Sequence, residues 1–446
     1  MTYSKYPSYT KNNTPWLHLV PTSWQILSGK RLFERRKTIN TGMQCSNRLA
    51  LTMQGVLRRS LEDVDGLQAT DYAGYQIFER GDLAFKLIDL QNIKTSRVGF
   101  VPERGIMSPA YIRVARRHSH INTRYFYWFY YSLYLQNIFN SLGGGVRQTL
   151  GAEELLELPV CVPSQPEQRA IAMFLDRETA KIDRLIEKQE RLIALLEEKR
   201  QAEISHAVTK GLNPNAPMKN SLASFIGTIP AHWQTSPVKR ALQYVTSGSR
   251  GWSEYVSDTG PLFVQSGDIG KDMNVTLSNA QRVCLPRKAE GKRTAIKRFD
   301  ILICITGGRT GSVGLISEDN EEAYVNQHIA LTRADSHAAY PPYLAYCLYS
   351  HVGQEHFARS QYGLKEGLGL EDVKNTVIPL PPLEEQLKIA TWLDQRVKIY
   401  SQGITSCSKV VSSLQSKRAS LISAAVTGKI DVRGLVEVGD DNTEAA

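Results

Sequence analysis

Several stretches of the sequence carry residue types that could bind phosphate or metal. Residues 306–314 read Thr-Gly-Gly-Arg-Thr-Gly-Ser-Val-Gly, a composition typical of loops that cradle phosphate. They contain neither G-x-x-x-x-G-K-[ST] nor G-x-G-x-x-G, so a nucleotide P-loop or a dinucleotide site is not predicted, although a backbone nest for a DNA phosphate stays open. The 9 histidines show no metal-binding spacing and the 6 cysteines form no C-x-x-C pair, so neither a metal site nor a disulfide framework is indicated.

Residues 340–343, Tyr-Pro-Pro-Tyr, lie close to the [DN]-P-P-[YF] motif of adenine methyltransferases. Those enzymes need Asp or Asn in the first position to accept a hydrogen bond from the target amino group, and Tyr340 has no carbonyl-type acceptor. No pair of carboxylates with a lysine indicates a nuclease site. The sequence therefore favours a binding protein over an enzyme.

The net charge of +10 points to the kind of partner such a protein would bind. Residues 1–163 carry 20 Lys or Arg against 12 Asp or Glu, and residues 213–382 carry 17 against 15. Because neutralisation of phosphates supplies most non-specific affinity for nucleic acid, a polyanionic partner is a fair hypothesis. No apolar run approaches the roughly 20 residues that span a bilayer, so we expect a cytoplasmic protein.

The chain is a tandem duplication, because residues 164–209 recur 218 residues later. The matched residues include Glu167-Gln168 with Glu385-Gln386, Leu175-Asp176 with Leu393-Asp394, and Lys199-Arg200 with Lys417-Arg418. Each copy predicts one helix of about 45 residues. In the first copy an S-x-x-E capping box at Ser164 marks the start of the helix and Gly211 marks its end. The apolar stripe of the first copy runs through Ile171, Leu175, Ile182, Leu185, Ile186, Leu192, Leu196 and Ile204, and that of the second through Ile389, Leu393, Val397, Ile404, Val411, Leu414 and Ile422.

So long a helix needs a partner, and we expect the two copies to pair as a two-stranded coiled coil. The alternative is that each helix packs only on its own globular half. The globular halves open at Val20-Pro21-Thr22-Ser23-Trp24 and at Ile229-Pro230-Ala231-His232-Trp233, where the offset is 209 residues, and the offset reaches 218 by Asp82 and Asp300. A shared frame with a differing insert suits one scaffold that carries two recognition surfaces.

Within this frame, short β-branched and aromatic runs predict strands, while residues 125–135 and 343–349 predict buried helices rather than base-stacking platforms. If the polyanionic partner is DNA, base readout should come from polar residues on the loops that the two copies do not share, because arginine can pair bidentately with guanine. For any single arginine a surface charge or a phosphate contact is the competing interpretation. The predicted DNA contacts are Arg48, Arg58, Arg59, Arg97 and Arg104 in the first half and Arg250, Gln265, Lys271, Arg282 and Arg309 in the second, with Arg309 favoured for its glycine-rich loop.

Two variable globes that alternate with two E-Q-x-x-I-A-x-x-L-D helices resemble the specificity subunit of type I restriction–modification systems. The resemblance covers nearly the whole chain and implies an α+β fold, in which two pseudo-repeated α/β target recognition domains alternate with two long helices that pair as an antiparallel coiled coil. The expected domains are a first recognition domain at 1–163, a central helix at 164–212, a second recognition domain at 213–382, a C-terminal helix at 383–432 and a disordered acidic tail at 433–446.

The resemblance further implies a subunit without catalytic activity that reads a bipartite target in double-stranded DNA. Its partners would be two methyltransferase subunits and two endonuclease subunits. S-adenosylmethionine, ATP and magnesium would then be bound by those partners, with no cofactor on this chain. The alternatives are a fused restriction–methylation enzyme, which would need methyltransferase motifs of its own, and a coiled-coil scaffold that binds only protein, which would not retain DNA.

Overall fold

The computed structural model describes residues 3–60, 72–91, 95–145, 148–221, 223–284, 292–361 and 367–436. The chain divides into two compact units, of which the first comprises Met1–Glu190 with Lys409–Ala446 and the second comprises Arg191–Ser408. Each unit therefore contains one globular domain, part of one long helix and part of the other. Most of the acidic tail, residues 437–446, lies outside the described residues.

The first globular domain and the helix that follows it consist of β1 Tyr9–Lys11, β2 Leu19–Pro21, β3 Gln25–Ser28, β4 Phe33–Arg36, β5 Arg48–Thr52, β6 Gly55–Arg59, β7 Gln76–Phe78, β8 Leu83–Phe85, β9 Val98–Phe100, β10 Gly105–Met107, β11 Ile112–Arg116, α1 Thr123–Leu135, α2 Ile138–Leu142, α3 Ala152–Glu157, β12 Pro159–Val162 and α4 Gln165–Lys210.

The second globular domain and its helix consist of β13 Met218–Asn220, β14 Thr228–Pro230, β15 Gln234–Pro237, β16 Leu242–Ser247, β17 Val256–Val264, β18 Gln281–Val283, β19 Ile301–Cys304, β20 Val313–Leu315, β21 Ala323–Val325, β22 Ile329–Ala334, α5 Pro341–Tyr349, α6 His351–Ser360, α7 Leu370–Lys374, β23 Val377–Leu380 and α8 Leu383–Val426.

Each globe has one sheet beside its buried aromatic helix and a second sheet, most of whose strands come from the stretch where the copies differ in length. In the first unit the inner sheet has the order β4-β11-β8-β9 and the outer sheet β6-β5-β10-β7. In the second unit the orders are β16-β22-β19-β20 and β18-β17-β21. The inner sheets match strand for strand in order and direction, whereas the outer sheets differ, as the frame-and-insert pattern predicts.

The aromatic helices are core elements. Residues 125–134 of α1 are all buried, and so are residues 342–348 of α5. Tyr125 and Tyr343 occupy equivalent positions and are completely enclosed, and burial raises the pKa of each phenol well above its ordinary value. The prediction that these runs are buried helices is confirmed.

The two long helices have the predicted length and ends, with 46 residues in α4 and 44 in α8. Gly211 follows α4 with φ 73° and Gly428 follows α8 with φ 71°, so each helix stops at a glycine in the left-handed region. The expected capping box differs in detail, because the Ser164 hydroxyl donates to the Glu167 carboxylate at 3.2 Å.

Within each unit the segments of α4 and α8 pair in antiparallel orientation. In the second unit Arg396 donates to both carboxylate oxygens of Glu203 at 2.8 Å, and Tyr400 donates to the same side chain at 2.6 Å. In the first unit Arg418 Nε donates to Asp183 Oδ1 at 2.7 Å. The coiled-coil expectation is confirmed, and packing on the globular halves alone is excluded.

The seam of α4 differs from the predicted stripe. Leu185 is 48% exposed in the first unit and Leu192 is 42% exposed in the second, so both predictions were wrong. Moderately or fully buried residues instead alternate at spacings of three and four, at Ile182, Ile186, Gln189, Ile193, Leu196 and Arg200. Each misplaced leucine directly precedes an isoleucine that takes the seam position.

Candidate nucleic-acid interface

The shared residues at the start of each long helix hold the helix to its globe. Trp24 Nε1 donates to Glu167 Oε1 at 3.2 Å in the first unit. In the second unit Trp233 Nε1 donates to Glu385 Oε2 at 2.8 Å. In both copies, therefore, the tryptophan of the opening motif contacts the glutamate of the helix motif.

The glutamine that follows each glutamate joins two further backbone segments. Gln168 Oε1 accepts from Asn122 N at 3.0 Å, and its Nε2 donates to Pro163 O at 3.0 Å. The equivalent Gln386 accepts from Tyr340 N at 2.8 Å and donates to Pro381 O at 2.8 Å. Both amides are buried, so each stabilises the junction between its globe and its helix.

A buried tyrosine fixes the end of the other helix in each unit. Tyr125 Oη donates to Cys161 O at 3.1 Å, and Val426 O lies 3.3 Å away. Tyr343 makes the equivalent contacts with Pro379 O at 3.0 Å and Val208 O at 3.3 Å. Since these contacts are the same in both units, they build the frame and carry no information that distinguishes one DNA sequence from another.

Two arginine–aspartate pairs with buried carboxylates complete the frame, and sequence reasoning missed them. Arg113 Nε donates to Asp82 Oδ2 at 2.6 Å, and Arg333 Nε donates to Asp300 Oδ1 at 2.6 Å. Burial raises the pKa of Asp82, while the hydrogen bonds of the turn and of Arg113 act in the opposite direction. The match between Asp82 and Asp300 was visible in the sequence, but the partner arginines lie at a different offset.

Three of the predicted arginines of the first unit lie on the hairpin formed by β5 and β6. Arg48 and Arg59 are directly opposite in the strand register. The Arg48 guanidinium donates to Ser60 O at 2.9 Å and lies 5.7 Å from the centroid of the Tyr72 ring. Arg58 donates to Asn47 Oδ1 at 2.7 Å and to Glu103 at 3.0 Å. The structure thus brings these three arginines together on one hairpin.

The other two predicted arginines of this unit lie in different surroundings. Arg104 is exposed and pairs with Glu79 at 3.4 Å. Arg97 departs from the expectation of an exposed loop residue, because it is only 1% exposed. Its Nη2 donates to Asp89 O and Leu90 O at 3.0 and 2.8 Å, and burial lowers the pKa of its guanidinium. Arg97 therefore closes a loop from inside, and burial removes the basis for assigning it a DNA contact.

In the second unit the glycine-rich loop places Arg309 against another loop. Arg309 Nη1 lies within hydrogen-bond distance of the Ser266, Gly267 and Ile269 carbonyl oxygens, at 3.3, 3.1 and 2.7 Å. The residue as a whole is exposed. Arg309 fixes the conformation of residues 266–269 next to Gln265.

Gln265 and Arg282 are both engaged within the second unit. Gln265 Nε2 donates to Gln281 Oε1 at 2.8 Å. Arg282 forms two hydrogen bonds with Glu321, at 2.8 and 2.9 Å. Hydrogen bonding to this carboxylate raises the pKa of the Arg282 guanidinium. Arg282 would have to exchange this carboxylate for a base edge before it could read DNA.

The last two predicted residues lie on the surface of the same unit. Arg250 is exposed in the turn after β16. Lys271 is also exposed, and its backbone carbonyl accepts a hydrogen bond from the Tyr349 hydroxyl at 2.7 Å. Within the described residues, no group of three or more His, Cys, Asp or Glu side chains could hold a metal ion. Among the described residues, no helix has the length and apolar character needed to cross a membrane.

A family model agrees with this architecture. The model described as type I restriction modification DNA specificity domain matches residues 59–197 and 287–405, which together make up more than half of the chain. Each match includes part of a globe and a large part of the long helix that follows it. The two matched segments therefore correspond to the two copies of the duplicated fold.

Known proteins of similar sequence cover most of the chain. The EcoBI specificity subunit of a type I restriction enzyme from Escherichia coli is 24% identical over 72% of this chain and 69% of its own length. The MjaVIII specificity subunit from Methanocaldococcus jannaschii is 23% identical over 75% of this chain and 77% of its own length.

A solved structure of similar fold describes complex assembly and conformational transition of the type I R-M system. Its matched chain has a TM-score of 0.66 and 16% identity, over 91% of this chain and 98% of that one. At this identity the likeness concerns the fold alone, and it agrees with two globes alternating with two long helices.

Proposed function

Because the chain belongs to the type I restriction-modification DNA specificity family, we propose that it directs a methyltransferase and an endonuclease to a bipartite target in double-stranded DNA. A specificity subunit is the non-catalytic, DNA-recognising component of such a system. In our proposal each unit reads one half-site, and the helices α4 and α8 set the gap between the half-sites. The fused-enzyme and protein-scaffold alternatives lack this family support.

One observation carries the proposal of two half-sites. The two units share the same buried frame, from the Trp24–Glu167 and Trp233–Glu385 contacts to the order of the inner sheets, yet their outer sheets differ. A duplicated frame with unlike surfaces suits two different sequences read by one mode of docking. Proteins with two repeated reading units match targets with two separated half-sites.

The predicted contacts support this reading to different degrees. Arg48, Arg58 and Arg59 cluster on one hairpin, and Arg250 and Lys271 are exposed. Arg48, Arg58, Arg104, Gln265, Arg282 and Arg309 have partners within the protein. We propose that the exposed cationic residues contact DNA, and that the engaged residues order the loops beside them.

The methyltransferase subunits are proposed to dock on the outer surfaces of the long helices. Those surfaces carry apolar side chains that are exposed in the chain alone, at Met173, Leu185 and Val410 in the first unit and at Leu192, Leu195, Leu387 and Ile399 in the second. Exposed apolar groups on a charged helix are typical of a protein interface. S-adenosylmethionine, ATP and magnesium would act in two methyltransferase and two endonuclease subunits, not on this chain.

The test is reconstitution with labelled S-adenosylmethionine. We expect the purified chain alone to transfer no methyl group to DNA, and the chain with the methyltransferase subunit of its own system to methylate adenines at a bipartite site. Replacing residues 220–370 with the equivalent globe of a relative should change one half-site only. Methyl transfer by the chain alone, or a change of both half-sites after the exchange, would contradict the proposal.

A further inference from the structure

The edge of the inner sheet in the first unit carries a high density of positive charge. Strand β4 is the edge strand of this sheet, and it pairs with β11 in antiparallel register. Residues 33–37 and 112–117 contain one carboxylate, Glu34. The same two segments contain five exposed cations, which we call the basic edge, at Arg35, Arg36, Lys37, Arg116 and Arg117. Positive charge is therefore in surplus along this edge.

The single carboxylate of the two segments is shared by two of the cations. Arg36 Nε donates to Glu34 Oε1 at 2.7 Å, and Arg117 Nη1 lies 3.3 Å from Glu34 Oε2. The Arg36 hydrogen bond is the main cause that holds the pKa of Glu34 below its ordinary value, so this carboxylate is ionised at neutral pH. Among the described residues, the side chains of Arg35 and Lys37 form no hydrogen bond or ion pair. One ionised carboxylate thus offsets only a part of the charge of the basic edge.

Backbone carbonyl groups hold the two arginines at the end of β11. Arg117 Nε donates to Lys30 O at 2.9 Å and to Phe33 O at 3.0 Å. Arg116 Nη1 donates to Ser119 O at 3.3 Å. A guanidinium has five N–H donors, so these contacts use only some of them. Both arginines are therefore positioned before any partner binds, and both stay exposed.

The second unit lacks this charge at the equivalent positions. β16 is the edge strand there, and it pairs with β22 as β4 pairs with β11. Leu242–Ser247 contain no charged residue, and Ala334 and Asp335 stand where the first unit has Arg116 and Arg117. Because both edges belong to the shared frame, the two units differ here in charge and not in fold.

We propose that the basic edge binds the phosphate backbone of double-stranded DNA and holds the first unit on the duplex, while the second unit has no such contact surface. This inference rests on the proposed function and deepens it. Phosphate contacts position a protein on DNA and carry no base information, so they suit the shared frame better than the inserts. The charges of the whole globes agree, since residues 1–163 have 20 Lys or Arg against 12 acids and residues 213–382 have 17 against 15.

Two other roles of a basic edge predict different outcomes. Charged side chains on an edge strand prevent pairing between copies, so their loss would increase self-association and leave DNA binding unchanged. If the edge instead bound an acidic surface of a partner subunit, the loss of its charge would prevent co-purification with that subunit. Only phosphate binding predicts a change in how DNA affinity depends on salt, because each neutralised phosphate releases counterions.

The experiment uses the full chain with the methyltransferase subunit of its own system. One duplex carries the methylation target mapped from DNA exposed to that complex, and a second duplex lacks it. The slope of log affinity against log salt is about −0.9 for each neutralised phosphate. Arg35→Gln with Lys37→Gln should therefore make the slope shallower by about 1.8, so that affinity falls about tenfold less between roughly 50 and 200 mM salt. Binding at low salt should weaken equally on both duplexes, and the methylated sequence should not change.

Two further variants separate the loss of charge from damage to the fold. Lys239→Gln with Arg240→Gln is the matched control, because both side chains are exposed and lie just before the equivalent edge strand of the second unit. It removes the same charge and should leave the slope unchanged. Arg35→Lys with Lys37→Arg keeps both charges and should restore the slope of the wild type.

Several results would overturn the inference. One is an unchanged slope in the Arg35→Gln, Lys37→Gln complex, whether or not its self-association or co-purification differs. Another is an equal change in the control, since phosphate binding would then not be confined to the first unit. A changed methylated sequence would mean that the edge reads bases. These results leave the proposed function intact, whereas a wild-type complex that neither binds nor methylates any duplex would contradict the proposed function itself.

Discussion

At the scale of single residues, the turns before β8 and β19 need a positive φ at the same position, and the two copies place different residues there. The first copy has Gly81 with φ 90°, and the second has Phe299 with φ 69°. A residue with a Cβ is strained in this region by about 1–2 kcal/mol. The contact between the Phe299 ring and the Arg298 guanidinium, which lies 4.7 Å from the ring centroid, offsets part of this strain.

We expect Phe299→Gly to stabilise the second unit by about 1 kcal/mol, because the turn keeps its conformation and loses the strain. The reciprocal change Gly81→Ala should destabilise the first unit by a similar amount, since a methyl group there meets no other atom within 4 Å and only the backbone is strained. The midpoints of thermal unfolding measure both effects. A destabilised Phe299→Gly protein would mean that the ring contacts outweigh the strain.

At the scale of elements, polar residues as well as apolar ones hold the helices together. In the second unit Glu203 accepts hydrogen bonds from Arg396 and Tyr400, and the Arg396 bond is the main cause that lowers the pKa of this carboxyl below its ordinary 4.5. Arg200 takes a seam position in the same segment, where its Nη1 lies 3.4 Å from Ser401 Oγ.

The lowered pKa of Glu203 predicts a pH dependence of stability. Because the pKa of Glu203 is lower in the folded protein, the unfolded carboxyl binds a proton more readily than the folded one as pH falls below 4.5. The stabilisation is therefore present above pH 4.5 and is lost as pH falls through the lowered pKa. Glu203→Gln should therefore flatten the stability profile in that acid range. Glu198→Gln, an exposed change on the same helix, should leave the profile as it is. Parallel profiles for the wild type and Glu203→Gln would contradict this account.

A proline within the seam should prevent assembly. Leu196 lies inside α4, and a methyl group added at Gly403 of α8 would be 3.4 Å from its Cδ1. Leu196→Pro would cost ~3 kcal/mol or more and break the helix, whereas Leu196→Met keeps the volume and the backbone hydrogen bond. Co-purification with the methyltransferase subunit distinguishes the two variants. A Leu196→Pro complex that assembles and methylates would mean that the helix is not a structural spacer.

At the scale of the whole molecule, the sequence predicted what duplication makes visible. The shared motifs gave the helix ends, the buried aromatic helices and the coiled coil, because two copies in register report the same constraint twice. The seam was less predictable, since Leu185 and Ile186 are both apolar and only packing decides which one faces the partner helix. The burial of Arg97 could not be predicted either, because its guanidinium donates to the backbone carbonyl oxygens of Asp89 and Leu90, and every residue type has such a carbonyl.

The proposed spacer role of the coil leads to a geometric prediction for the DNA target. One heptad in an α-helix adds roughly 10 Å, which is about three base pairs of DNA. The insertion must be made in both helices, between Glu190 and Arg191 and between Ser408 and Lys409, to keep the antiparallel register. A heptad in one helix alone is the control, and it should prevent assembly because the two segments no longer match.

The most direct test maps the methylated adenines after the paired insertion. The account predicts that both half-sites keep their bases and that the gap between them grows by about three base pairs. An unchanged gap, or half-sites with different bases, would contradict the claim that two independent reading units are spaced by the paired helices.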